Sequence, residues 1–121
     1  MSKEHIKADL CVIGAGAAGL VSSAGAALLG RKVVLFEAGE MGGDCLNYGC
    51  VPSKAILTAA HVAHTVNTAA RYGVETTPAR IDFAKVREHI RAAIEAIHPN
   101  DSQERFEGMG VRVVRERARF T

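Results

Sequence analysis

The stretch Ala8-Asp9-Leu10-Cys11-Val12-Ile13-Gly14-Ala15-Gly16-Ala17-Ala18-Gly19 decides the fold. Residues 8 to 13 form a short apolar run that stops at Gly14, and the residues from Ala15 to Leu29 are nearly all Ala, Gly, Leu and Val. This is the pattern of a strand, a tight turn and a buried helix. Gly30 is placed to end the helix, and Val33-Val34-Leu35-Phe36 follows as a second buried strand that stops at Glu37. Two strands joined by a helix make a βαβ crossover, whose strands must be parallel. The fold class predicted is therefore α/β, a Rossmann-like unit on a parallel sheet.

Gly14, Gly16 and Gly19 fit the spacing G-x-G-x-x-G, with Ala17 and Ala18 between the last two. In a strand-to-helix turn the first glycine permits the tight bend, the second lets a pyrophosphate approach the backbone, and the third lets helix and strand pack closely. Glycines in an Ala-rich helix can also serve packing alone. The acidic Glu37, eighteen residues after Gly19 at the end of the second strand, favours a dinucleotide, because its carboxylate is positioned to accept hydrogen bonds from both ribose hydroxyls. The motif does not separate FAD from NAD.

Outward from this unit, Ala38 to Pro52 is rich in glycine and broken by Asn and Pro, and is predicted to be a structured loop. Helical periodicity then runs through Ile56, Leu57, Ala60, Ala63 and Ala70 to about Arg71. A loop with Tyr72-Gly73 and Thr76-Thr77-Pro78 precedes a second helix capped by Asp82, with Phe83, Val86, Ile90, Ile94 and Ile97 on one apolar stripe and Pro99 as its stop. A short helix over 101–108 and a strand carrying Val111, Val113 and Val114 follow.

Within the loop, Gly42-Gly43-Asp44-Cys45-Leu46-Asn47-Tyr48-Gly49-Cys50-Val51-Pro52-Ser53-Lys54 holds two cysteines five positions apart. In a regular helix their Cα atoms would lie about 8–9 Å apart, beyond disulfide reach. The backbone must bend for them to bond, and Gly49 and Pro52 are the residues expected to bend it. That bend sets the second thiol at the mouth of the following helix, where the helix end or Lys54 favours thiolate.

These thirteen residues, with Gly14-Ala15-Gly16-Ala17-Ala18-Gly19, resemble the pyridine nucleotide–disulfide oxidoreductases, the group that includes dihydrolipoamide dehydrogenase, glutathione reductase and mercuric reductase. The resemblance is close over roughly residues 8–58. The chain departs from the family pattern at Asp44, where Thr is usual, and at Tyr48, where a small aliphatic residue is usual.

The resemblance implies FAD as cofactor, NAD(P)H as co-substrate and a small-molecule disulfide or soft-metal acceptor. It implies that Cys50 lies against the flavin and that Cys45 is the thiol exchanging with the acceptor. Lys54 would sit near the flavin N5, Gly42, Gly43 and Asp44 along the pyrophosphate, and Glu37 with Ala38 at the ribose. It also implies that residues 1–121 are the amino-terminal part of an incomplete FAD-binding domain, with nicotinamide-binding and dimerisation domains elsewhere in a homodimer, and that these residues alone have no turnover.

Two other classes compete. One is an FAD-binding module without turnover. The other is a Cys/His metal module, since His61 and His64 follow the cysteines three residues apart, although the usual zinc spacings do not fit. His98-Pro99 with Ser102 and Glu104 is explained by helix termination and is not taken as a catalytic base.

Composition sets the remaining limits. The 121 residues suffice for one domain, and 48% hydrophobic content excludes disorder. A formal net charge of +2 gives no reason to expect nucleic acid or an acidic membrane as partner. Arg112, Arg115, Arg117 and Arg119 are taken as a solvated strand edge, and Cys11 as a small core side chain. The start, 1–9, lacks a secretory pattern, and no apolar run is long enough to span a bilayer, so a cytoplasmic protein is expected.

Overall fold

The computed structural model describes residues 5–120; Met1 to Glu4, part of the start taken to lack a secretory pattern, and Thr121 lie outside the described residues. Strand β1 (Leu10–Ile13), helix α1 (Ala17–Leu28) and strand β2 (Val33–Phe36) form the expected βαβ unit. Helices α2 (Gly43–Asn47), α3 (Cys50–Thr68), α4 (Phe83–Ile97) and α5 (Gln103–Gly108) follow, and strand β3 (Arg112–Val114) returns to the sheet. All pairings are parallel in the order β1-β2-β3, with Leu10 opposite Val33, Val12 opposite Leu35 and Leu35 opposite Val113.

That register puts Leu10, Val12, Val33, Leu35 and Val113 on one face, because side chains alternate along a strand. Leu20 and Ala24 of α1, Phe106 of α5, and Met41 and Val111 close over this face as one core. Cys11, Ile13, Val34, Phe36 and Val114 point to the other face. There Ile6, Ala8, Cys11, Val34 and Phe36 line a 270 Å³ cavity. Cys11 is exposed, which corrects its expected place in the core. Its apolar strand neighbours are the same on both faces, and only the packing of α1 and α5 distinguishes them.

Ser23 on α1 is fully buried, and its hydroxyl has no hydrogen-bond partner. An unpaired hydroxyl in an apolar interior loses its water without compensation. Ser23→Ala is expected to raise stability by about 1 kcal/mol, read from the urea midpoint. An unchanged or lowered midpoint would mean that the hydroxyl is satisfied in solution.

Asp82 caps α4 as expected, its Oδ1 accepting from the amides of Ala84 at 3.0 Å and Lys85 at 3.3 Å. The apolar stripe of α4 is only half used. Val86, Ile90 and Ile94 are half-buried, but Phe83 is 72% exposed and Ile97 also lies in solvent. Pro99 does stop α4, although the chain continues for one tight 3-10 turn over His98–Asp101.

The predicted loop 38–52 is corrected more strongly. It contains α2 and the first turn of α3, separated by Tyr48 and Gly49. Asn47 secures α2 by donating its side-chain N–H to the carbonyls of Met41 at 3.1 Å and Gly43 at 2.9 Å. Leu46 and Met41 beneath it are buried.

Candidate functional site

The glycine turn is built by close approach. A Cβ on Gly19 would lie 1.8 Å from the Gly14 carbonyl oxygen, so only glycine lets α1 start this close to β1. Gly43 holds the start of α2 against the same turn, where a Cβ would meet the Gly16 Cα at 2.8 Å. The Gly42 amide also donates to the Ala15 carbonyl at 2.9 Å. Two helix N-termini therefore meet at Gly16.

Gly16 itself opens on free space, with nothing within 4 Å of the Cβ position. It is the N-cap of α1, and no side chain caps the helix. The first amides of a helix have no partner within it, and with the helix dipole they attract anions. Ala17 and Ala18, exposed on this first turn, leave the approach unobstructed. An open cradle beside uncapped amides fits a dinucleotide pyrophosphate.

Glu37 joins the turn to β2. Its Oε2 accepts from the Ala15 amide at 2.6 Å and its Oε1 from the Gly39 amide at 2.6 Å. A carboxylate has roughly four lone-pair sites, so this grip orients Glu37 and leaves capacity for hydroxyl donors. Ala38 sits exposed in the bend between these two anchors. Glu37, Gly39, Glu40, Gly43, Asp44 and Tyr48 line one 340 Å³ cavity. Three of these, Glu37, Gly43 and Asp44, were candidates from sequence. Gly39, Glu40 and Tyr48 were missed, and only the unusual Tyr at position 48 gave any signal of them.

The cysteines come together across the helix break. Gly49 has φ −118° and ψ −105°, a turn that ends α2 and starts α3, so the bend lies at Gly49 while Pro52 sits within the first turn of α3. Cys45 is half-buried near the end of α2, and Cys50 is exposed as the first residue of α3. Both are free thiols.

The Cys45 thiol is held above its ordinary range. The main cause is its hydrogen bond to the Cys50 side chain, followed by burial and repulsion from Cys50 charge; the Cys50 backbone N–H and the Lys54 ammonium pull the other way. Lys54, exposed on the first turn of α3, thus acts on the thiol pair and does not line the Glu37 cavity.

Alkylation follows the thiolate fraction, so reaction of Cys45 with iodoacetamide is expected to begin only at raised pH. Cys50→Ala removes the largest cause and should move the Cys45 profile to lower pH, whereas Lys54→Ala should move it higher. Peptide-resolved labelling rates against pH read both shifts. A Cys50→Ala profile that stays in place would contradict the contact.

Among the described residues, no group of three or more His, Cys, Asp or Glu side chains is arranged to hold a metal ion. The described helices include none long and apolar enough to cross a membrane. Arg115 is not merely a solvated arginine, as its guanidinium donates to the Gly39 carbonyl and ties the end of β3 to the bend after Glu37.

The family model for pyridine nucleotide-disulphide oxidoreductases matches residues 8–120. The chain belongs to this family. It is 39% identical over 92 residues to a dihydrolipoyl dehydrogenase of Geobacillus stearothermophilus, a match covering 76% of this chain and 20% of that protein. It is 43% identical over 100 residues to the mitochondrial dihydrolipoyl dehydrogenase of Rattus norvegicus, covering 79% of this chain and 19% of the relative. A mercuric reductase of Streptomyces lividans is 43% identical over 84 residues, covering 69% and 18%. The chain thus spans about a fifth of the length of the curated relatives it matches. Oxidoreductases of this family use FAD and NAD(P)H.

Proposed function

We propose that this chain is the FAD-holding, thiol-bearing part of an NAD(P)H-dependent oxidoreductase that reduces a small disulfide or a soft metal ion. The observation that carries the reading is the helix break at Gly49, packed against Cys45 and followed at once by Cys50, next to a glycine turn open to a dinucleotide. FAD, when bound, supplies the two-electron link between the nicotinamide and the thiol pair.

The residues have separable tasks. Gly14, Gly16 and Gly19 shape the turn, and the amides at the start of α1 receive the pyrophosphate. Glu37 takes ribose hydroxyls, with Ala38 beside it. Gly42, Gly43 and Asp44 line the phosphate side, while Lys54 brings positive charge to the thiol pair and the flavin edge.

In the reduced pair, the Cys45 thiol gives its proton to solvent and attacks one sulfur of the acceptor disulfide, expelling the other as a thiolate. Cys50 then attacks Cys45, releases the second thiolate and leaves a Cys45–Cys50 disulfide, so that two electrons pass to the acceptor. A soft metal ion would instead be held by thiolate sulfur before reduction. The nicotinamide-binding and dimerisation domains belong to the rest of the enzyme, which we take to be a homodimer, and these 121 residues are expected to show no turnover alone.

The test is flavin retention. The protein should hold FAD through gel filtration, and Glu37→Ala should lose it. If wild type retains no FAD while remaining folded, the reading fails.

A further inference from the structure

Tyr48 and Glu40 have no part in the relay described above, yet both line the cavity that holds Glu37, Gly43 and Asp44. Tyr48 follows the last turn of α2 and is 71% exposed. Despite that exposure the ring is tethered, its hydroxyl donating to Glu40 Oε2 at 2.7 Å. Glu40 lies three residues beyond Glu37, at the far side of the bend whose Gly39 is held by both Glu37 and Arg115. The hydrogen bond therefore links the end of α2 to the bend after β2, both of which line this cavity.

We propose that Tyr48 and Glu40 form a strap over the ribose–pyrophosphate stretch of the dinucleotide cleft and slow the release of bound FAD. This rests on the FAD reading above. Charge gives the pair a second task. Glu37, Glu40 and Asp44 bring three carboxylates to one small cavity, and a diphosphate entering it adds further negative charge. By donating to Glu40, the neutral phenol offsets part of the charge of one of these carboxylates. The phenol is suited to remain the donor, because Glu40 first, then burial and Asp44, hold its ionisation above the ordinary tyrosine range.

The experiment uses the full-length flavin-loaded protein and measures FAD release by the regain of flavin fluorescence on dilution. Tyr48→Phe keeps the ring and removes the donor, while Glu40→Gln keeps the shape and weakens the acceptor. Each is expected to speed release about tenfold, the scale of one hydrogen bond to a charged group. The double variant should be no faster than either single one, because both changes break the same link.

ADP, which carries the ribose and diphosphate without the flavin ring, should bind the flavin-free Tyr48→Phe variant more weakly by a similar factor, because Glu40 then faces the diphosphate uncompensated. The thermal midpoints of the flavin-free proteins should be unchanged, which a merely structural role would not allow. If wild type retains FAD and both variants release it at the wild-type rate, or only one is faster, the strap is overturned and the FAD reading stands. If wild type holds no FAD, both fall together.

Discussion

Changing Cys45 and Cys50 together to serine in the complete enzyme is expected to lower acceptor reduction by about a thousandfold or more, with flavin retention unchanged. A serine hydroxyl neither forms the interresidue bond nor exchanges with a disulfide, so on the proposed relay electrons would have no route to the acceptor. Each single replacement should cost nearly as much as the double one, because groups that act as a unit are not additive. Their nearness across the break at Gly49, close enough for Cys50 to hold the Cys45 thiol above its ordinary range, is what would make them a unit. Steady-state reduction of a disulfide acceptor by NAD(P)H measures the loss, and bound flavin absorbance confirms retention. Full activity in the double variant would remove the proposed role of the pair.

The second large effect separates two glycines of one motif. Gly19→Ala is expected to destabilise the fold by about 3 kcal/mol or more, since its Cβ would fall 1.8 Å from the Gly14 carbonyl oxygen and 3.2 Å from Val12 Cγ1. The near atom is backbone and cannot turn away, so relief requires α1 to move off β1.

Gly16→Ala should behave in the opposite way. Its Cβ position has no neighbour within 4 Å, and its φ of −80° suits any residue, so thermal stability should hardly change. The new methyl would occupy the space through which a pyrophosphate reaches the α1 amides, and FAD affinity should fall at least about tenfold. Thermal unfolding and FAD titration on the same two variants distinguish packing from binding. Wild-type FAD affinity in Gly16→Ala would mean that the pyrophosphate does not cross Gly16.

The sequence by itself determined the βαβ unit, the glycine turn with Glu37 at the far strand end, and the need for a bend between two cysteines that a continuous helix would hold apart. Each depends on local chemistry: apolar runs, the steric freedom of glycine and the fixed rise of a helix are read within a few residues. Tertiary structure alone decided that Ala38–Pro52 is two helices broken at Gly49, that the break brings Cys45 and Cys50 near each other as free thiols, and that Arg115 reaches Gly39 across 76 positions. It also decided that Cys11 faces outward while Val12 faces the core, although both stand in one apolar run. Alternation along a strand says which residues share a face; which face is covered, and which distant side chains meet, depends on where α1, α2 and α5 pack.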